Sequence, residues 1–325
     1  MDGQPNESRE ITGELVVIDD KPSLFWDRDH RQTQLRFLGG IDPEYFAYLG
    51  SLHREQLEGP EGAHAAIALR VSYSHGLEAL FAMIGASLQA PKCPAAWLTK
   101  YTNSSLAKLI SKIDKWQDFP AVVQVRGGWE GVAQALVPWR GTDDRFDELR
   151  LASEELWSML ARDFLDQALT DEYNGLKHGF RVAPGEWHLN IAVEQSPGVL
   201  GASPTWHPLA HNKYGSTFFR PVELRKLQWQ FEEQSVGWDP FALAFRLELI
   251  GASMHNILEL LRSASGSEEG SLKLFTREQV ADAREERFNP SNARLQLRTG
   301  IDPGALPDVT AAQLLEDYAK RHQRP

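Results

Sequence analysis

Apolar residues recur every three or four positions over three long stretches of the chain, which is the spacing of one face of an α-helix. These stretches are residues 60–91, 143–179 and 239–263. Proline or aspartate at their starts, and glycine or proline beyond their ends, are typical helix boundaries. The pattern therefore predicts three long helices, and the first, being apolar almost throughout, is predicted to be a buried core helix.

The spacing of apolar residues changes to every second position after Gly179, which is typical of strands. Residues 187–193 alternate, and 216–220 and 222–236 are further candidate strands. Near the start of the chain, two short apolar runs flank the turn-forming residues 19–22, as in a hairpin. We predict an α+β fold: a long-helix bundle with a predominantly antiparallel sheet formed by the N-terminal and central strands.

Changes in composition divide the chain into three segments. These are an N-terminal segment of strands and a first helix (1–60), a helical bundle with an inserted sheet at about 180–236 (61–265), and a linker with peripheral C-terminal helices (266–325). Residues 263–270, rich in serine, glycine and glutamate, have the composition of a flexible linker. Beyond it, helices are predicted at 276–287 and 310–321.

Charge and cysteine content restrict the function classes. The formal net charge of −11 argues against a general coat on nucleic acid or an anionic membrane, although a local basic patch remains compatible with it. Cys93 is the only cysteine, which excludes an intramolecular disulfide and a cysteine-type zinc site and fits a reducing compartment. Residues 1–14 lack the apolar run of a secretory signal. We expect a cytoplasmic protein without membrane contact.

A polar cluster of Asn174, Lys177, His178 and Arg181 ends the second helical stretch. Asn174 and His178, four residues apart, share one helix face, and the two cations bring positive charge to the same end. A histidine can carry a proton, an asparagine can orient it, and cations can hold a phosphate, so the cluster predicts a catalytic acid–base site. The alternative is an ordinary helix end, because cations complement the helix dipole and Gly179 suits a left-handed cap.

The arrangement Asn-x-x-x-His near the end of a long helix resembles the HEPN superfamily of helical-bundle nucleases and nucleotide-binding proteins. Asn174 and His178 match the second and third elements of the family motif, whereas Tyr173 stands where the family's arginine is expected. A tyrosine lacks the permanent charge of a guanidinium, which Lys177 or Arg181 would have to supply from the next turn. The resemblance implies a protein that binds or cleaves RNA without a metal or cofactor, for example in bacterial stress responses or defence.

Each long stretch also carries a histidine within a mostly apolar surround: His75, His178 and His255. If the three meet, they form a polar pocket inside the bundle, to which Glu78 could add a carboxylate from the same helix face as His75. If they do not meet, each is an ordinary partly buried histidine. Arg70 and His75 repeat the Arg and His spacing of the family, but they lie about 140° apart on an ideal helix and are not expected to converge.

A second candidate surface is a stripe of four lysines, Lys100, Lys108, Lys112 and Lys115. Such a stripe can attract a nucleic-acid backbone, and it is equally typical of a solvated helix face. The sequence thus favours an RNA-binding or RNA-cleaving protein, with a homodimer as a possible assembly. Two alternatives stay open: a non-enzymatic helical interaction or scaffold protein, and a small-molecule-binding module.

Overall fold

The computed structural model describes residues 12–27, 29–137, 144–179, 181–192, 206–225, 228–268, 270–285, 294–297 and 310–322. Helices dominate it, and every described strand pair is antiparallel. The predicted α+β class with antiparallel strands is therefore confirmed.

The elements are numbered along the chain. The described helices are α1 His30–Gly39, α2 Tyr45–Arg54, α3 Gly62–Gln89, α4 Pro94–Lys100, α5 Asn103–Asp114, α6 Gly128–Leu136, α7 Asp144–Phe164, α8 Gln167–Lys177, α9 Pro240–Ala264, α10 Arg277–Glu285 and α11 Ala311–His322. The described strands are β1 Thr12–Ile18, β2 Lys21–Asp27, β3 Val182–Pro184, β4 Trp187–Ala192, β5 Trp206–Asn212, β6 Gly215–Arg225, β7 Gln228–Gly237 and β8 Arg294–Leu297.

Helix α3 is the centre of the packing, as its apolar sequence predicted. It contacts α2 and α9, and it also contacts α4, α5, α7 and α8. Leu69, Phe81 and Leu88 on this helix are completely buried. A mostly apolar helix is stable only where neighbouring elements cover most of its surface, and α3 has such neighbours. Among the described helices, none has both the length and the apolar run needed to cross a bilayer.

The second long helix of the sequence pattern is two helices, so the prediction of one helix over 143–179 is wrong. Helix α7 ends at Phe164, and Asp166 caps α8 by accepting hydrogen bonds from the backbone N–H groups of Ala168 and Leu169. The apolar pattern hides this break, because Leu165 and Leu169 keep helical spacing across it. The capping aspartate gives α8 its own start, and α8 contacts α3, β3 and β6.

The described strands form three separate sheets, with the orders β1-β2, β3-β6-β7-β8 and β4-β5. The N-terminal strands thus pair with each other and not with the central ones, which corrects the expectation of a shared sheet. Val16 is buried, and β1 contacts α3 and α4. An isolated hairpin is marginally stable unless its apolar face packs on another element, and here helices provide that surface.

Residues after Gly266 contribute to the core and are more than peripheral. Phe275, Val280 and Ala283 are buried. The buried guanidinium of Arg246 on α9 donates to the carbonyl of Ala283 from Nε (3.2 Å) and Nη2 (2.8 Å), which ties α10 to α9. Strand β8 extends the sheet beside β7, whereas the described residues of α11 are exposed along its whole length.

Candidate functional site

The predicted polar cluster lies at the C-terminal end of α8. Lys177 is in the last turn, and His178 follows as the C-cap, with its backbone N–H donating to the carbonyl of Asn174 at 3.0 Å. Gly179 has a φ of 104°, a backbone conformation that glycine adopts readily and that residues with a Cβ atom rarely adopt. The helix is therefore capped as its sequence predicted, and the cap leaves the side chains of Asn174, Lys177 and His178 exposed.

Gly175 brings the chain that follows the cap back against the helix. A Cβ atom at this position would lie 2.6 Å from Cγ2 of Val182, closer than packed side chains tolerate. The backbone N–H of Arg181 donates to the carbonyl of Gly175 at 3.0 Å. The missing side chain thus lets β3 lie directly on α8 and holds Arg181 beside the end of the helix.

Asn174, His178 and Arg181 line one open groove with a volume of about 380 Å³, here called the α8–β6 groove. Helix α8 supplies one wall, which also includes Gln167 and Asp171, and residues 218–221 of β6 supply the other. Three of the four predicted catalytic residues are therefore brought together at one concave surface. Lys177 is the exception, because its ammonium lies 5.5 Å from the ring centre of Tyr173 and it is not part of this lining.

Arg220 is a further cation of the groove that the sequence reasoning missed. Its Nε lies 3.2 Å from Oδ2 of Asp171, whose Oδ1 accepts a hydrogen bond from Gln167 at 2.7 Å. This chain of contacts links α8 to β6 and orients the arginine along the wall. The alternating pattern of 216–220 could have indicated which face of β6 carries Arg220, because it places Arg220 and Phe219 on opposite faces of the strand.

Phe219 of the groove wall belongs to a group of exposed aromatic side chains on the sheet. Phe219, Trp229 and Phe231 are 63%, 57% and 68% exposed. In the β6–β7 pairing, Pro221 is opposite Phe231 and Glu223 is opposite Trp229, so these aromatic residues share one face. We call Phe219, Trp229 and Phe231 the aromatic sheet face. Large exposed apolar patches of this kind commonly mark a binding surface.

The lysine stripe is divided between elements and partly neutralised. Lys108 and Lys112 on α5 form ion pairs with Asp20 in the β1–β2 turn, at 2.6 and 3.0 Å. Lys100 belongs to α4 and Lys115 follows α5, and both are exposed. Hydrogen bonds from Lys108 and then Lys112 lower the pKa of Asp20. Two of the four lysines therefore hold the N-terminal hairpin.

The three histidines occupy different environments. The ring of His75 packs edge-on against Phe46, with ring centres 5.3 Å apart. His255 donates from Nε2 to the carbonyl of Ser271 at 2.9 Å. His178 lines the α8–β6 groove, whose described lining includes neither of the others. Glu78 accepts a hydrogen bond at 3.3 Å from the hydroxyl of Tyr101, which lies between α4 and α5.

Arg70 is part of a buried ionic network. It donates to Oε2 of Glu172 from Nε at 2.9 Å and from Nη2 at 2.5 Å. The other oxygen of Glu172 accepts hydrogen bonds from Ser216 and from Trp238 Nε1. Arg70 and His75 therefore point to different neighbours, as their helical spacing predicted. The usable signal was an arginine within an otherwise apolar helix, which requires a buried partner.

Within the described ranges, no group of three or more histidine, cysteine, aspartate or glutamate side chains is arranged to hold a metal ion. The likeness to HEPN proteins rests on Asn174 and His178. The chain matches no protein-family model, and comparison with curated proteins and with solved structures gives no match.

Proposed function

We propose that this protein binds single-stranded RNA in the α8–β6 groove, with His178 positioned to transfer a proton at the bound phosphodiester. The observation that carries the proposal is that Arg181, Arg220 and the exposed ring of Phe219 line one groove. Proteins that bind single-stranded RNA combine positive groups that contact phosphates with aromatic side chains on which bases stack. Arg181 and Arg220 provide the first, and Phe219 of the aromatic sheet face provides the second.

The whole chain carries a net charge of −11, so the positive charge of the groove is a local feature. Arg181 is exposed and permanently charged. Arg220 uses its Nε for Asp171, and a guanidinium has further N–H donors that suit a phosphate. Binding is therefore expected to depend on a few contacts and to weaken as salt concentration rises.

A base of RNA bound in the groove would stack on the aromatic sheet face at Phe219. Phe219 belongs both to the groove wall and to this face. Stacking of one base on an aromatic side chain is worth about 1–3 kcal/mol and tolerates any base. This interaction would provide affinity that the modest positive charge alone does not supply.

A cleavage reaction at this site would use the ribose as nucleophile. The 2′-oxygen would bond to phosphorus while the bond to the 5′-oxygen breaks, leaving a 2′,3′-cyclic phosphate and a 5′-hydroxyl end. Neutral His178 would take the proton of the 2′-hydroxyl, solvent would protonate the leaving oxygen, and Arg181 would stabilise charge at the phosphate. Asn174, on the same face of α8, would orient the histidine.

Binding is tested by fluorescence anisotropy with a labelled single-stranded RNA. Arg181→Ala and Phe219→Ala should each weaken binding about tenfold, because each removes one charge or one stacking surface. Arg36→Ala is the matched control, since Arg36 is exposed on α1, which contacts α4, α9 and β2. Equal affinity of all four proteins, or no binding by the unchanged protein, overturns the proposal.

Cleavage is tested separately, with the same RNA in the presence of a metal chelator. The unchanged protein should produce fragments with cyclic phosphate ends, and His178→Ala should lose this activity. If both cleave equally, or if neither cleaves, the catalytic part of the proposal is wrong and RNA binding is judged on the anisotropy results alone.

The aromatic sheet face also suggests a rival use, contact with a second copy of the chain, since exposed apolar patches serve protein interfaces too. Light scattering distinguishes the two. A dimer that Phe231→Ala converts to monomer, with unchanged RNA affinity, would assign the face to dimerisation. A monomer whose RNA affinity falls in the same variant supports the RNA assignment.

A further inference from the structure

Asn174 lines a second cavity as well as the α8–β6 groove. This cavity lies between α3, α5 and α8, has a volume of about 150 Å³, and is here called the Asn174 cavity. We propose that it receives one pyrimidine base of the bound RNA while the backbone stays in the groove. The inference rests on the proposed function and extends it by naming the preferred substrate, a pyrimidine-containing single strand.

The volume of the cavity matches a single aromatic ring. An engineered protein cavity of about 150 Å³ is known to hold benzene, one six-membered aromatic ring. A pyrimidine has the same ring size, whereas the fused rings of a purine need more space. The volume therefore favours uracil or cytosine.

The walls present an apolar surface to the flat faces of a ring. Leu77 of α3, Phe164 at the end of α7 and Leu169 of α8 all line the cavity, and Phe164 and Leu169 are only partly buried. Apolar and aromatic side chains are the usual neighbours of a base that has left its stack. This part of the lining holds any aromatic ring and does not by itself identify a base.

The polar lining supplies hydrogen bonds for the edge of a base. The amides of Asn103 and Asn174 each offer both a donor and an acceptor, as the edge of a pyrimidine does, and Glu78 offers an acceptor. Tyr173 also lines the cavity, and burial raises the pKa of its phenol, which therefore stays protonated at neutral pH.

The deepest charges of the cavity are already paired, which disfavours a phosphate there. Arg70 donates to Glu172 from two nitrogens, and Asp163 accepts from the hydroxyl of Tyr73 at 2.7 Å. A phosphate would add negative charge beside Asp163 and compete with Glu172 for the guanidinium. A neutral base avoids both costs, so the base and not the phosphate is assigned to this cavity.

The test compares oligouridine with oligoadenosine of equal length by fluorescence anisotropy. Both can stack on the aromatic sheet face, but only uracil is expected to fit the cavity. The unchanged protein should bind oligouridine about tenfold more tightly. Ala107→Phe fills the cavity from α5 and should weaken oligouridine binding to the level of oligoadenosine, with oligoadenosine binding unchanged.

Asn103→Leu provides a second variant, because it removes an amide from an exposed position without adding much volume. It should also reduce the preference for oligouridine. Equal binding of the two RNAs by the unchanged protein, or a preference that survives both variants, overturns the cavity assignment while RNA binding in the groove stands. If neither RNA binds, or if neither Arg181→Ala nor Phe219→Ala weakens binding, the proposed function fails and the cavity assignment fails with it.

Discussion

Arg70 on α3 and Glu172 on α8 form an almost completely buried salt bridge between residues 102 positions apart in the chain. The same carboxylate accepts hydrogen bonds from Ser216 of β6 and from Trp238, which directly precedes the cap of α9. One charge pair thus connects α3, α8, β6 and the start of α9. Because α8 and β6 are the walls of the α8–β6 groove, this network sets the position of the candidate site.

Arg70→Met should destabilise the protein by about 3–5 kcal/mol, since it leaves Glu172 buried without its charge partner. Urea unfolding measures the change. The double variant Arg70→Met/Glu172→Leu should recover part of the loss, because no unpaired charge then remains in the core. A loss of less than about 1 kcal/mol in the single variant would contradict this role.

Tyr73→Phe should cost about 1.5–3 kcal/mol, because the buried Asp163 loses a hydrogen bond from the tyrosine hydroxyl. Burial, reinforced by Asp163, raises the pKa of Tyr73 far above its ordinary value. The hydroxyl therefore remains protonated, and the cost should be the same at pH 6 and pH 9. Tyr48→Phe, at an exposed tyrosine, is the matched control and should change the unfolding free energy little.

Gly175→Ala should destabilise by about 1–3 kcal/mol, because the new Cβ would overlap Val182. Gly39→Ala is the control: its Cβ would have no described heavy atom within 4 Å, and the variant should be neutral or slightly stabilising. In a double-mutant cycle, Val182→Ala should relieve part of the effect of Gly175→Ala. If the changes in unfolding free energy of the two single variants simply add in the double variant, the predicted overlap between residue 175 and Val182 is wrong.

Asp20→Asn should lower the unfolding midpoint at pH 7, and this effect should shrink as the pH falls below 3.8. The folded-state pKa of Asp20 is lowered from its ordinary value of 3.8 by Lys108 and Lys112. Its stabilising contribution is therefore fully present above pH 3.8 and is lost as the pH falls through the lower folded-state value. Asp118→Asn, at an exposed aspartate after α5, is the control. A pH-independent difference would argue against the ion pairs.

Local signals in the sequence were sufficient for several helix boundaries. Asp239 and Pro240 predicted the start of α9, and in the structure Asp239 caps that helix through the backbone N–H groups of Phe241 and Ala242. Gly179 likewise marked the end of α8. Such signals lie within a few residues of the boundary that they determine. Asp166 is an equally local cap at the start of α8. It was missed because Leu165 and Leu169 keep the apolar spacing of a continuous helix across it.

Features that depend on distant residues were not predictable from local patterns. The pairing of Arg70 with Glu172 requires α3 and α8 to be adjacent, which neither local sequence encodes. Arg220 joined the groove only because β6 lies beside α8. The N-terminal hairpin is separate from the central strands for a similar reason. Which elements a strand pairs with or packs on depends on residues that are distant in the sequence, here those of α3 and α4.

The most direct test of RNA binding at the α8–β6 groove is photocrosslinking with a single-stranded RNA that contains 4-thiouridine, followed by mass spectrometry of the protein peptides. Binding in the groove predicts adducts within α8 and β6, above all at His178 and Phe219, and their loss when unlabelled RNA competes. Adducts concentrated instead near Lys100 and Lys115, or no specific adduct, would contradict the account.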